Sequence, residues 1–587
     1  MPADITYHDD DFELAPYEDE TASGTIYTDD PDLPLPLSES DTRTSIEHFG
    51  EPRWLQNTPH WTRNFFRRAT SRMDTLKPRW LEARSSSSFW DWVGDLLRPR
   101  FTIGYVVCCI VLLYVLYCYA FWKPLFASNL PKYTGPYSVG AIDVEVPVRE
   151  PRKINDTVFK HNGEPAFALD TVLFTLYYPT AHDSMSSRPR HKWFPKPMSL
   201  IAEGYATAAH FNNFFSRPLF TFALWGLASS IDIPAKVDVP LLDDEEVSRM
   251  PVVVLSHGDV SSRTDYTAYC GELASRGIVV ATIEHRDGSC PGSMVHLPNG
   301  KKKKVLLSRA DQMKPELLGV GVTNDDWRFQ KLAFRDAEIQ ETISILRDLE
   351  SGNGQQIFKN NYRNEGKGLE DWLNRLDLSQ VILAGHSFGA TGALQALQTA
   401  NKTSDREIRF ENPAVGGIIF DPGKSSGKLN TDIDVPLLIV HSDSWSKTFS
   451  IFYGRSHFDT VRDLARDVLQ RCGATWFMTS LKTSHPSVTD APLIEPWLLS
   501  WTTGATINVR EGLKQYVRVS MEFIEYLKTR KQTGLLDIGV THVSYGNDTR
   551  SEEQKEKIAK KDMKFWQVHV APDTASFEPG SGSDKAK

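Results

Sequence analysis

A serine flanked by two glycines, one histidine after the last apolar run, and two acids that end apolar runs are the residues of this chain whose types and spacing suit chemistry. The serine lies in Gly385-His386-Ser387-Phe388-Gly389, after the apolar "VILA" and before "ATGALQALQ". A serine hydroxyl is a weak nucleophile until an imidazole takes its proton and an acid orients that imidazole. G-x-S-x-G alone is a weak signal. A strand leading in and a helix leading out turn it into a tight bend that holds the hydroxyl clear of a sheet. The helix start that follows also favours developing negative charge. Ser387 is therefore the candidate nucleophile.

Downstream stand His441, His457, His485, His542 and His569. His485, in "TWFMTSLKTSHPSVTD", follows the last apolar strand, where a loop can return to the nucleophile, so it is the candidate base. Asp421 in "GGIIFDPG" and Asp443 in "LLIVHSDSW" both end strands between nucleophile and base, and periodicity does not choose between them. An oxyanion also needs N–H donors. The Phe388 amide follows the nucleophile, and the loop "LSHGDVSS" offers the Asp259 amide as a second donor, with the Asp259 carboxylate expected to point away.

The elements that must position these groups are legible as alternation. "MPVVVLSHG", "GIVVATIEHRDG", "LSQVILAGHS", "AVGGIIFDPG" and "DVPLLIVHSD" are short apolar runs suited to central strands of a mostly parallel sheet buried on both faces. "YTAYCGELASRG" and "RDAEIQETISILRDLE" are helical patterns between them. An α/β fold with an open sheet follows, over residues 132–530. Residues 531–587 read as a polar, loosely ordered C-terminal tail.

Upstream the composition changes. Residues 1–50 carry 14 Asp/Glu against one Arg and read as disordered, while residues 51–100 carry 10 Lys/Arg against 5 Asp/Glu. Phe101 to Trp122 is a run of 22 residues without a charge, about 33 Å as a helix, enough for a hydrocarbon core of about 30 Å. It lies far from the start for an ordinary cleaved signal peptide. The excess of Arg and Lys on its N-terminal side predicts a cytosolic N-terminus and a lumenal or extracellular remainder. The sequons at Asn155, Asn401 and Asn547 all fall on the predicted lumenal side. "WTRNFFRRATSR" fits an anionic leaflet or a solvated linker equally well, and the aromatic stretch His191–Ser230 fits a lipid surface, a cap over the site or ordinary packing.

Cys108, Cys109 and Cys118 fall in the span; Cys270, Cys290 and Cys472 allow at most one bridge, and free thiols are expected. No Cys/His spacing suits a metal, no cofactor is expected, and the net charge of -9 without a basic folded segment excludes a nucleic-acid footprint.

"GPYSVGAIDVEV", "LSHGDVSSRTDYTAYCGELASRGIVVATIEHRDGS", "VILAGHSFGATGAL" and "GGIIFD" together resemble the plasma-type platelet-activating-factor acetylhydrolase family, from about Lys132 to Thr529. That resemblance implies an α/β-hydrolase fold and calcium-independent hydrolysis of short or oxidised sn-2 acyl chains from phospholipids. It places the nucleophile on Ser387, the acid on Asp421, the base on His485 and the oxyanion donors on the amides of Asp259 and Phe388. The chain departs from the family pattern at Ala390, Pro422, Pro486 and Asp259. The expected function is a membrane-anchored phospholipid esterase. A general carboxylesterase or lipase, or a non-catalytic scaffold, are the alternatives.

Overall fold

The computed structural model describes residues 102–572, apart from 245–248, 298–299, 317–320, 399–412 and 550–559. The expectations for residues 1–100 and for the Asn401 sequon lie outside the described residues.

Helix α1, Ile103–Ala120, realises the apolar run with a mean hydropathy of 2.3, and among the described residues it alone is long and apolar enough to cross a membrane. The chain divides into two compact units within this helix, and the sheet and the candidate site belong to the unit that begins at Leu116.

Ten strands form that unit's main sheet: β1 Ser138–Lys153, β2 Ala168–Thr180, β3 Lys236–Val237, β4 Met250–Ser256, β5 Val279–Ile283, β6 Leu376–His386, β7 Ala414–Phe420, β8 Leu437–Ser442, β9 Thr475–Ser480 and β10 Trp566–Val570. Their order is β10-β9-β8-β7-β6-β4-β5-β2-β1-β3. The six strands from β9 to β5 run parallel. β10, β2 and β1 are antiparallel to their inner neighbours. This mostly parallel sheet flanked by helices is an α/β-hydrolase fold.

The apolar runs are continuous because both faces are covered. In β4, Val253 and Leu255 join one core with Tyr269, Leu273 and Phe523, while Val252 and Val254 join a second with Ile339, Ile343 and Leu346. Side chains alternate across a strand, so a strand buried on both sides cannot alternate in polarity. The chain leaves β4 to lay β5 on one side and later returns to lay β6 on the other. At such a reversal, the loops leaving adjacent carboxyl ends part and open a crevice. The "LSHGDVSS" loop leaves β4 there and Ser387 follows β6.

One result differs from the sequence expectations. Residues 531–587, read as a loose tail, supply β10, a buried strand paired to β9. Its five residues pair where the sheet would otherwise end, and the Lys-rich residues before them hide so short an apolar run. In the aromatic stretch, helix Met198–Ala208 buries Leu200, Ile201 and Ala206, whereas helix Ser216–Ala228 leaves Leu219, Phe222 and Trp225 exposed. Cys270 and Cys290 are both buried and free, as expected.

Candidate active site

Ser387 sits between β6 and helix Phe388–Ala396 with φ 55° and ψ −123°. That backbone is costly for a residue with a Cβ, on the order of 1–3 kcal/mol, and the close packing around the bend holds it. A Cβ on Gly385 would lie 2.2 Å from the Gly389 carbonyl oxygen, and one on Gly389 would lie 2.1 Å from that of Ser256. Both glycines of the motif are thus required by backbone contact. A Cβ on Gly258 would come within 3.3 Å of the Ser387 Cβ, so the β4 loop lies against the nucleophile candidate.

The structure brings Asp421 and His485 together. His485 Nδ1 lies 2.9 Å from Asp421 Oδ2, across 64 residues of sequence. Asp421 is buried, and its carboxylate also accepts from the Ser442 amide at 2.6 Å and the Ser442 hydroxyl at 2.7 Å. The His485 amide donates to Ser444 Oγ at 3.1 Å, and the Trp445 ring stacks on the imidazole at 4.0 Å with 10° between planes. With Nδ1 committed to the acid, Nε2 is the nitrogen left to exchange a proton. The imidazole is 28% exposed, open enough for substrate to reach.

Asp443, the other acid, serves elsewhere. Its carboxylate accepts from the Lys482 amide at 2.8 Å and the Tyr545 hydroxyl at 2.6 Å, bracing the start of the loop that carries His485.

One buried cation touches both stretches of chain that carry the expected oxyanion donors. Arg335, fully buried, donates from Nη1 to the His257 carbonyl at 2.6 Å, and its guanidinium lies 4.4 Å from the centre of the Phe388 ring. Nε donates to Asp287 at 2.8 Å, which neutralises the charge. The Phe388 amide opens its helix, where N–H groups have no partner within the helix. The Asp259 carboxylate is drawn aside by Lys331, whose Nζ lies 3.6 Å from Oδ1 and 4.6 Å from the Phe388 ring.

Behind this loop the "EHRD" motif forms a polar core. Glu284 accepts from the Arg263 amide at 3.0 Å, and Arg286 donates to Thr171 Oγ1 at 2.6 Å. His285 bonds Glu338 through Nδ1 at 2.6 Å and Ser256 Oγ through Nε2 at 2.7 Å. His257 Nδ1 donates to the Gly258 carbonyl at 2.7 Å and Nε2 accepts from the His285 amide at 3.0 Å. Burial first, and then Arg335, hold its pKa down to about 3. It stays neutral, and its tautomer is fixed.

His386, Asp421 and His485 offer ligand atoms within 4.8 Å of one another, the one such group among the described residues. Both His386 nitrogens and the Asp421 carboxylate are already engaged in hydrogen bonds within the protein.

Comparison with known proteins identifies the family. The family described as "Platelet-activating factor acetylhydrolase, isoform II" matches residues 126–535. The chain belongs to that family. Among curated members, platelet-activating factor acetylhydrolase of Canis lupus familiaris is 27% identical over 275 residues, covering 46% of this chain and 52% of the relative. That of Cavia porcellus is 24% identical over 319 residues, covering 54% and 61%. A Schizosaccharomyces pombe protein with a phospholipase A2 name is 25% identical over 303 residues, covering 50% and 65%. The chain therefore spans between about half and two thirds of the length of these relatives. Among solved structures, the ferulic acid esterase of Streptomyces cinnamoneus superposes with a TM-score of 0.42 at 16% identity, covering 73% of this chain and 97% of that one.

For this acetylhydrolase-family chain, the sequence missed the residues that hold the site. Ser442 ends the strand that leads to the alternative acid, Ser444 and Trp445 follow it, and Arg335 sits in a run read only as a helical pattern. Of these, only the apolar run ending at Ser442 carried a signal, since sites in open α/β sheets lie outside the carboxyl ends of the strands.

Proposed function

We propose that the chain is a membrane-anchored serine esterase that cleaves the sn-2 acetyl, short or oxidised acyl ester of phospholipids, without calcium, through an acyl-enzyme. The catalytic portion begins near residue 132 and includes β10. The His485–Asp421 bond of 2.9 Å, beside a nucleophile held in a strained turn, is the observation that carries this reading.

Ser387 Oγ attacks the ester carbonyl while His485 Nε2 takes its proton. Asp421, fixed by Ser442, keeps the proton on Nδ1 and stabilises the imidazolium. The carbonyl oxygen becomes an oxyanion that accepts from the Asp259 and Phe388 amides. Collapse breaks the bond to the glycerol sn-2 oxygen, which leaves with the proton returned by His485 as lysophospholipid. Water, deprotonated by His485, then attacks the acyl-serine; the bond from the acyl carbon to Ser387 Oγ breaks, the carboxylic acid leaves, and His485 gives its proton to Ser387 Oγ.

Helix α1 supplies the anchor, and the asymmetry of Arg and Lys around it supports a cytosolic N-terminus with the catalytic portion on the lumenal or extracellular side.

The test uses the full chain in detergent with a chelator of calcium, on phosphatidylcholines bearing acetyl or palmitoyl sn-2 chains, with Ser387→Ala as control. Acetyl-selective turnover lost in the variant is expected. Equal turnover of both chains would make the protein a broader lipase, and no turnover of either would sink the esterase reading.

A further inference from the structure

The middle residue before the nucleophile, His386, is buried and bonded at both nitrogens, and the mechanism above does not use it. Its Nε2 lies 3.0 Å from the backbone carbonyl oxygen of His485. A carbonyl only accepts, so Nε2 carries the hydrogen and Nδ1 is bare. Nδ1 lies 2.8 Å from the Tyr266 hydroxyl, which must then donate to it. The Tyr266 oxygen in turn accepts from the Gly258 amide at 3.0 Å. Every donor and acceptor role in this chain of bonds is therefore fixed, from the Gly258 N–H through Tyr266 and His386 to the His485 carbonyl.

These bonds join three stretches of chain that are far apart in sequence. Gly258 precedes Asp259 in the loop after β4, His386 precedes Ser387 at the end of β6, and His485 lies in the loop after β9. The peptide that follows Gly258 carries the Asp259 amide. Tyr266 and His386 meet edge to face at 5.7 Å, and the His386 and His485 rings are 4.5 Å apart.

We propose that His386 is a positioning residue that, with Tyr266, holds the oxyanion loop and the base loop in register with the nucleophile. The inference rests on the esterase reading. A neutral imidazole is needed throughout, because a second proton on Nδ1 would break the bond from Tyr266. Burial, and next the neighbouring His485, keep the pKa of His386 well below that of a free histidine. His386 thus neither competes for the Ser387 proton nor changes tautomer when His485 is charged during turnover. Its role is geometric, and misplacement of a catalytic group by about 1 Å can cost on the order of 100-fold in rate.

The experiment measures fluorophosphonate labelling of Ser387 and turnover of the acetyl phosphatidylcholine, with the full chain in detergent and melting temperatures alongside. Tyr266→Phe removes one oxygen and little volume. His386→Leu removes both bonds, and His386→Gln restores a side-chain N–H for the His485 carbonyl. Tyr266→Phe and His386→Leu are each expected to slow labelling and kcat by about 10- to 100-fold with KM within about twofold. The double variant should be no slower than His386→Leu alone, because the two residues act through one chain of bonds. His386→Gln should recover part of the loss. Parent-like labelling in Tyr266→Phe, or losses that multiply in the double variant, would overturn the proposal while leaving the esterase reading intact. Absence of labelling and turnover in the unaltered protein would overturn both.

Discussion

At the scale of single residues, two acids that look equivalent in sequence are separated by what they touch. Asp421 bonds the imidazole of His485, and Asp443 bonds the Lys482 amide and the Tyr545 hydroxyl. Asp421→Asn should therefore lower kcat by about 10⁴-fold, because the amide favours the wrong imidazole tautomer. Asp443→Asn should cost no more than several-fold. Turnover of the two variants side by side checks this, and comparable losses would mean that the acid has been misassigned. A second residue-level prediction concerns acid. His457 is buried among His441, Trp445 and Phe452, with Lys424 nearby, and burial first and then Lys424 depress its pKa from 6.5 to about 3. The unfolded chain takes up that proton near pH 6.5 and the folded chain only near 3. The stability contributed by the neutral ring is thus complete above pH 6.5 and is lost as pH falls toward 3. His457→Phe removes this dependence, so its stability relative to the parent should rise by up to about 1.4 kcal/mol per pH unit below 6.5. Urea midpoints at pH 7 and pH 4.5 read the difference; parallel loss in parent and variant would contradict it.

At the scale of elements, the strands of the parallel run and the nucleophile bend were legible because their signals are local. Five apolar runs ending in small or charged residues, and a serine between glycines, need no distant partner to be recognised. The restraints on the site were not legible, because they join residues far apart. Tyr266 reaches His386 over 120 positions and Arg335 reaches His257 over 78, and no periodicity reports such pairs. β10 was hidden for another reason. Its Trp566, Val568 and Val570 alternate as an edge strand should, but five residues within a Lys-rich region carry too little signal. The family match ends at residue 535, before this strand. Truncation after residue 535 should nevertheless damage the protein, since it uncovers the edge of β9 and the apolar side chains packed beneath it. The expected outcome is a lower melting temperature and aggregation in detergent that retains the full chain as a monodisperse species. An unchanged melting temperature would show that β10 is dispensable.

At the scale of the whole molecule, the apolar helix and the hydrolase-like unit together make a prediction that neither makes alone. An ester hydrolase whose substrate is a phospholipid gains from residence at a membrane, because the lipid is concentrated there rather than in water. Charge asymmetry around α1 supports the proposed side for the enzyme, since Arg and Lys are retained in the cytosol. The sequon at Asn547 reports the side directly, because its asparagine is exposed and only a lumenal or extracellular position meets the glycosylation machinery. Expressed in a eukaryotic cell, the full chain should resist extraction by alkaline carbonate and should shift in mobility on glycosidase treatment. Asn547→Gln should remove part of that shift. Deletion of residues 101–122 should abolish both carbonate resistance and glycosylation, because this segment holds the one helix among the described residues that is long and apolar enough to insert. A chain that resists carbonate but carries no glycan in either form would place the catalytic portion in the cytosol, reversing the orientation while leaving Ser387, Asp421 and His485 able to act on the inner leaflet.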